Sequence, residues 1–176
     1  MRFALLLLLA GSSFADRDDK LREQFLKAES ALKAGRSGEY RRLKKTLTDY
    51  PLYGYLEYWE LGRRLSKAKP EEVDDFLQAY RDQRIAARLR VRWLHKLGKR
   101  KDWDNYLKFY TPQNSVTLQC YHIRARLQKS DRQQALKDSL ELWLVGHSQP
   151  DACDPVFDQL YANAMIDSDL IWQRIR

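Results

Sequence analysis

Four side chains raise the question of metal or thiol chemistry. Cys120 and His122 stand in LQCYHIRARL, and His147 and Cys153 stand in GHSQPDACDP. Thiolates and imidazoles are the usual ligands of zinc, which takes four of them in a closed tetrahedron. Positions i and i+2 of a helix point in widely separated directions, so Cys120 and His122 cannot converge on one ion while their segment is helical. Only three histidines occur in the chain. No metal site and no cofactor are expected. His147 follows Gly146, a residue suited to ending a helix, and has no paired acid or nucleophile, so it reads as a loop hydrogen-bonding group.

The first fifteen residues settle what the cysteines do instead. MRFALLLLLAGSSFA carries a basic start at Arg2, an apolar run from Phe3 to Ala10, and small residues Ser13 and Ala15 placed for cleavage before Asp16. That is the pattern of a cleavable secretory signal over residues 1–15, with a buried N-terminal helix as the plain alternative. The apolar run is too short for a permanent membrane span and no lipobox cysteine accompanies it, so a soluble exported chain without stable membrane insertion is expected. Export exposes the chain's two cysteines to oxidation. An even pair there points to a disulfide, Cys120–Cys153, pinning the loop after the Trp143 helix onto the helix around Val116 to Leu127. In the chain-entropy view such a loop closure contributes roughly 3–4 kcal/mol.

A net charge of +8 favours anionic partners. Export argues against nucleic acid and leaves an anionic cell-wall polymer, a membrane surface or an acidic protein. The charge gathers in RDQRIAARLRVRWLHKLGK, where Arg81, Arg84, Arg88, Arg92, His95 and Lys99 advance by three or four. On one helix they make a basic stripe beside an apolar one of Ile85, Leu89, Trp93 and Leu97. A solvated face is the plain reading of such a run. A surface for an anionic polymer or partner protein, through Arg81, Arg84, Arg88, Arg92 and Lys99, is the functional one. The segment DYPLYGYLEYWEL adds Tyr50, Tyr53, Tyr55, Tyr58 and Trp59. Such rings can stack on sugars, although at helical spacing they serve packing more often, and Tyr55 and Trp59, with Leu52 one turn earlier, are the expected core pair. Glu29 and Ser30 form a Glu-Ser pair with no second polar group or pocket evident beside it.

Helices must position all of these. Leu21, Phe25, Ala28 and Leu32 form one apolar stripe, Val116, Cys120, Ile123 and Leu127 a second, and Leu136, Leu140, Trp143 and Leu144 a third. No strand-like alternation of useful length occurs. Short polar breaks punctuate the helices at GRSG (35–38), DYP (49–51), AKP (68–70), GKRKD (98–102), TPQNS (111–115), KSD (129–131) and GHSQPDACDP (146–155). They delimit about ten helices of roughly nine to sixteen residues, within the usual range for globular proteins. LKAGRSGEYRRL, LHKLGKRKDWDNYL and ARLQKSDRQQAL each run helix end, basic turn, new helix start. They end at Leu43, Leu107 and Leu136, near two periods and then one period of a thirty-odd-residue helix-pair repeat. The fold is therefore all-α, a right-handed α-solenoid of irregular, tetratricopeptide-like hairpins, with a compact helical bundle as the alternative. DLIWQRIR is still in amphipathic register at Arg176. A solenoid normally closes with a polar capping helix, so the solenoid is expected to be incomplete at this end.

At DYPLYGYLEYWEL, at Gln119–Cys120 and at ELWLVGHSQPDACDPVF, the sequence resembles the N-terminal helical region of the soluble lytic murein transglycosylases of Gram-negative bacteria. The resemblance covers essentially the whole chain after the signal. It implies a periplasmic enzyme whose U-shaped helical superhelix is joined, through a linker, to a C-terminal lysozyme-like domain in a ring that binds peptidoglycan strands. That C-terminal domain cleaves the β-1,4 bond between N-acetylmuramic acid and N-acetylglucosamine, with a 1,6-anhydro product. The family's catalytic glutamate stands in a Glu-Ser motif followed by a GLMQ-type segment. No GLMQ-like segment occurs here, and Glu29–Ser30 in the first helix does not match that position. The implied partners are peptidoglycan glycan strands and the linker and lysozyme-like domain, with no nucleic acid. Residues 16–176 are thus expected to form the first part of the superhelix, non-catalytic alone and serving in glycan binding and positioning. A stand-alone periplasmic helical-repeat adaptor for another protein is the alternative.

Overall fold

The computed structural model describes residues 10–129 and 131–175, with side chains from Arg17 onward. Most of the expected signal segment lies outside the described residues. Ten α-helices and two short 3-10 turns follow in order, with no strand among the described residues. They are α1 Ala10–Lys33, α2 Ser37–Lys45, α3 Tyr53–Arg63, α4 Pro70–Ala79, α5 Arg84–Arg100, α6 Trp103–Phe109, α7 Val116–Lys129, α8 Arg132–Trp143, α9 Asp154–Ala162 and α10 Ser168–Ile175. The 3-10 turns are Leu65–Lys67 and Asp151–Cys153.

Local chemistry explains several boundaries. Gly35 closes α1 with φ +74°, a left-handed conformation that costs glycine nothing. Pro70 opens α4, where its missing N–H would be unpaired anyway, and Glu72 reaches back to accept the Lys69 N–H at 3.3 Å. Asp102 accepts the Asn105 N–H at the start of α6. Helix lengths range more widely than expected, from 7 residues in α6 to 24 in α1.

One expected continuity fails. Arg81 does not belong to the α5 helix: α4 ends at Ala79, and Tyr80 to Gln83 turn the chain before α5 begins at Arg84. Gln83 is extended at φ −109° and ψ 146°, and the Tyr80 carbonyl accepts its N–H at 2.8 Å. No glycine or proline marks this turn, so the three-residue step from Arg81 to Arg84 imitated a helical register.

Packing runs mostly between elements close in sequence. α1 packs on α2 and α3, α5 on α3, α4, α6 and α7, and α7 on α8 and α9. That neighbour-to-neighbour pattern is the quasi-one-dimensional logic of a solenoid. The apolar interior accordingly divides into three clusters along the chain, around Phe25, Tyr40 and Leu56, then Leu89, Trp93 and Leu118, then Cys120, Trp143 and Leu160. Ile85, Leu89, Trp93 and Leu97 are all buried, as the apolar stripe of α5 predicts. Two expectations need correction. Leu144 is exposed because α8 ends one residue earlier, at Trp143. Tyr55 and Trp59 are only half-buried, with ring centroids 5.8 Å apart, and Leu52 is exposed; Leu56 is the fully buried member of α3.

Candidate functional site

The basic stripe of α5 and the aromatic segment of α3 meet in one place. At 100° per residue, Arg84, Arg88, Arg92, His95 and Lys99 fall within about 80° of one another around α5. Arg92 stands at the margin of that arc. Its Nη2 donates to the Gly62 carbonyl of α3 at 2.8 Å, and its guanidinium lies 5.5 Å from the centroid of the Tyr58 ring. A Cβ on Gly62 would collide with this guanidinium, so the glycine makes the seat that Arg92 occupies.

Around this contact α1, α3 and α5 enclose a groove of about 410 Å³, lined by Glu29, Leu32, Lys33, Trp59, Gly62, Arg63 and Arg92. Trp59 is held by Phe25, at 6.0 Å between centroids, and by Tyr55. Arg63 donates to the carbonyls of Leu32 and Lys33 at the C-terminal end of α1, the first of which also accepts the Gly35 N–H at 3.1 Å. Glu29 pairs with Lys33 at 2.5 Å. A second hollow, of about 370 Å³ and lined by Tyr58, Ala87, Arg88, Val91 and Arg92, shares Arg92 with the first. Among the described residues, none of Arg63, Arg88 and Arg92 has a carboxylate partner within 4.0 Å. The region therefore combines aromatic surface with three unpaired guanidiniums.

Two other polar regions are largely satisfied internally. On the α2–α3–α4 side, Lys44 bridges Glu60 at 2.8 Å and Glu57 at 3.1 Å, and the Tyr80 hydroxyl donates to Glu57 at 2.7 Å. Burial works against the Lys44 charge, but its bonds to the two carboxylates outweigh that cost and raise its pKa. Burial likewise opposes ionisation of Glu57, and the bonds from Tyr80 and Lys44 hold its pKa low.

The third region, a hollow of about 270 Å³, includes Tyr110, Gln119, His122, Arg126, Asp138 and Glu141. Arg126 is held by Asp138 at 2.5 Å and Asp131 at 2.6 Å. His122 stacks on Tyr110 with centroids 3.7 Å apart and planes 12° from parallel. Burial, then the Arg126 charge, push the His122 pKa down to about 4, against a smaller opposing pull from Asp138. A depressed histidine pKa means that the unfolded chain takes up the proton first. Stability should therefore fall as pH drops from about 6.5, the unperturbed value, towards 4, and the loss should level off below that. An NMR titration of the imidazole is expected to place its midpoint near pH 4, and His122→Gln should flatten the decline in stability over that window. A midpoint near 6.5 would contradict the stacked, desolvated environment.

Cys120 and Cys153 form the expected disulfide, both fully buried with Cα atoms 4.9 Å apart. It joins α7 to the Asp151–Cys153 turn, so Cys120 offers no thiolate and His122 faces Tyr110 instead. His147 is exposed in the loop after α8. Of the predicted basic residues, only Arg88 and Arg92 line the hollows, while Arg84 and Lys99 are exposed farther along α5. Arg81 is drawn aside, in the turn and 3.4 Å from Asp82. Glu29 is a correction in the other direction: α3 and α5 supply the pocket and polar neighbours that its local sequence lacks.

No family model matches the sequence. The chain is 30% identical to the soluble lytic murein transglycosylase of Escherichia coli K12, over 97% of its own length and 27% of that protein's. It is related to the soluble lytic murein transglycosylases. Among solved structures, the lytic transglycosylase of Pseudomonas aeruginosa matches with a TM-score of 0.78 and 36% identity, over 86% of this chain and 25% of that one. The 70-kDa soluble lytic transglycosylase of Escherichia coli matches with a TM-score of 0.81 and 29% identity, over 89% and 25%. The chain thus spans about a quarter of the length of the lytic transglycosylases it matches. The all-α fold expected from this chain's short polar helix breaks is the one observed, and it is shared with these structures. Residue spacing pointed to Arg88 and Arg92 but missed Gly62, Arg63 and Lys33. The available signal was the sequence LGRR at the end of the aromatic helix, a small residue followed directly by two arginines.

Proposed function

We propose that these helices form part of the scaffold of a periplasmic lytic transglycosylase and help hold a peptidoglycan glycan strand in position, while cleavage of the N-acetylmuramic acid to N-acetylglucosamine bond is performed by groups that these residues do not supply. The reading is carried by the similarity to lytic transglycosylases over nearly the whole chain, in both sequence and fold. The positive charge and the aromatic groove suit a carboxylate-bearing cell-wall polymer. Residues 1–15 would direct export and be removed. Among the described residues no helix is long and apolar enough to cross a membrane. Glu29, the one carboxylate lining the larger groove, is engaged by Lys33. A glycosidic-bond acid would need a carboxyl group free to exchange its proton with the leaving oxygen.

The test is co-sedimentation of the purified chain with isolated sacculi, together with chromatography of the soluble products. Retention on sacculi that weakens with salt, and no 1,6-anhydromuropeptides, is the expected result. Release of anhydromuropeptides would refute the non-catalytic assignment, and absence of retention would refute the positioning role.

A further inference from the structure

We infer that the groove between α1, α3 and α5 binds a sugar carboxylate of the glycan, with the pyranose ring against Trp59 and the carboxylate received by Arg63 and Arg92. This rests on the scaffold reading above and goes further by assigning a site and a ligand chemistry. The groove's volume of about 410 Å³ falls in the usual range for small-ligand sites. Its apolar part, Leu32, Trp59 and Gly62, offers a surface for the C–H face of a sugar. Trp59 is braced by Phe25 and Tyr55, so little ordering is required on binding.

The cations decide the class of sugar. Arg63 and Arg92 are anchored through backbone carbonyls rather than carboxylates, which fixes their forks in place without neutralising them. Each keeps unused N–H donors and its full charge, the arrangement that recognises a carboxylate by charge-assisted hydrogen bonds. Lys33 is already matched by Glu29, whose remaining oxygen can accept from a sugar hydroxyl. A neutral glycan would leave the two guanidiniums uncompensated beside the ring. The carboxylate could be the lactyl group of an N-acetylmuramic acid freed of its peptide, or a carboxylate of the stem peptide. That Arg63 and Arg92 line the same groove as Trp59 favours the former. The adjoining hollow of Tyr58, Ala87, Val91 and Arg88 shares Arg92, so a neighbouring sugar unit can follow along α5.

Calorimetric titration of the whole purified chain with three probes separates the cases: a peptide-free N-acetylglucosamine–N-acetylmuramic acid tetrasaccharide, a neutral N-acetylglucosamine tetrasaccharide, and the free stem peptide. The first is expected to bind at least about tenfold more tightly than either of the others. Trp59→Ala and Arg92→Ala should each weaken it by about tenfold or more. Gly62→Ala should do the same by displacing Arg92 while leaving every charge in the chain. Lys137→Ala, on α8 and outside the groove, should leave binding unchanged. Circular dichroism melts establish that each variant is folded, and Arg92→Lys replaces any that is not, since it keeps the charge but loses the fork. Equal affinity for the neutral tetrasaccharide, equal affinity for the peptide alone, or groove variants that bind like the parent would each overturn the inference. Sacculus retention that survives in those variants would overturn the groove alone and leave the scaffold reading standing.

Discussion

Replacing Trp93 with alanine is expected to lower the stability of the chain by about 3–5 kcal/mol, the range for deleting a fully buried large aromatic. Trp93 has no solvent exposure and sits in the middle cluster, edge-on to Phe109 with ring centroids 6.1 Å apart. Arg100 covers it at 5.2 Å. α5 packs on α3, α4, α6 and α7, so a cavity at this point loosens several helix contacts and cannot be closed by moving one neighbour. A milder substitution isolates the contribution of ring volume. The Trp93 indole N–H is buried without a hydrogen-bond partner, an arrangement that costs about 1–3 kcal/mol of desolvation. Both substitutions remove that penalty, but Trp93→Phe keeps an aromatic ring in the space that alanine leaves empty, so it should cost distinctly less than Trp93→Ala. Urea unfolding followed by circular dichroism reads both. Equal losses for the two variants would mean that the ring volume retained by phenylalanine contributes nothing, and a loss below about 1 kcal/mol for alanine would contradict the packing described.

Removing the disulfide ranks next. The Cys120→Ala, Cys153→Ala double variant opens a link spanning 33 residues. In the chain-entropy model that closure is worth roughly 3–4 kcal/mol, in line with the 2–5 kcal/mol commonly lost with a native disulfide. Both cysteines are fully buried beside Ile123, Val156 and Leu160, so alanine at these positions also gives up some packing. The damage should be regional. In a solenoid each unit is supported mainly by its neighbours, so amide exchange is expected to quicken in α8, α9 and the loop between them while α1 to α3 keep their protection. Two free thiols in denatured protein purified under oxidising conditions would remove the staple altogether, and uniform loss of protection along the chain would contradict its local action.

How far the sequence carries can be seen by comparing individual residues. Ile85, Leu89, Trp93 and Leu97 were legible as an inward face because helical periodicity and burial coincide in a long amphipathic helix. The breaks at Gly35 and Pro70 were legible because glycine and proline act through their own backbone, whereas the break read at 98–102 falls later than its glycine: Gly98 stays inside α5, and Lys101 takes the left-handed conformation that ends it. Arg81 was misplaced because its turn uses residues without strong conformational preference, and α4 and α5 separate there for reasons of packing. Tyr55 and Trp59 have the spacing of core residues, yet which aromatic is sealed and which lines a groove depends on how closely α1 and α5 approach α3. Glu29 shows the same limit, since its pocket is made by residues thirty and sixty positions away in the chain.

Composition, periodicity and local backbone chemistry by themselves determined an all-α chain of helix pairs, the inward face of α5 and two cysteines poised to join, because each depends on residues within one or two helical turns or on simple counting. Only the tertiary structure decided that Arg92 crosses to Gly62, that Arg63 fastens to the end of α1, and that Glu29, Trp59 and these two guanidiniums share one groove. Those contacts link helices distant in sequence, and their geometry depends on how α1, α3 and α5 pack, which no local pattern encodes.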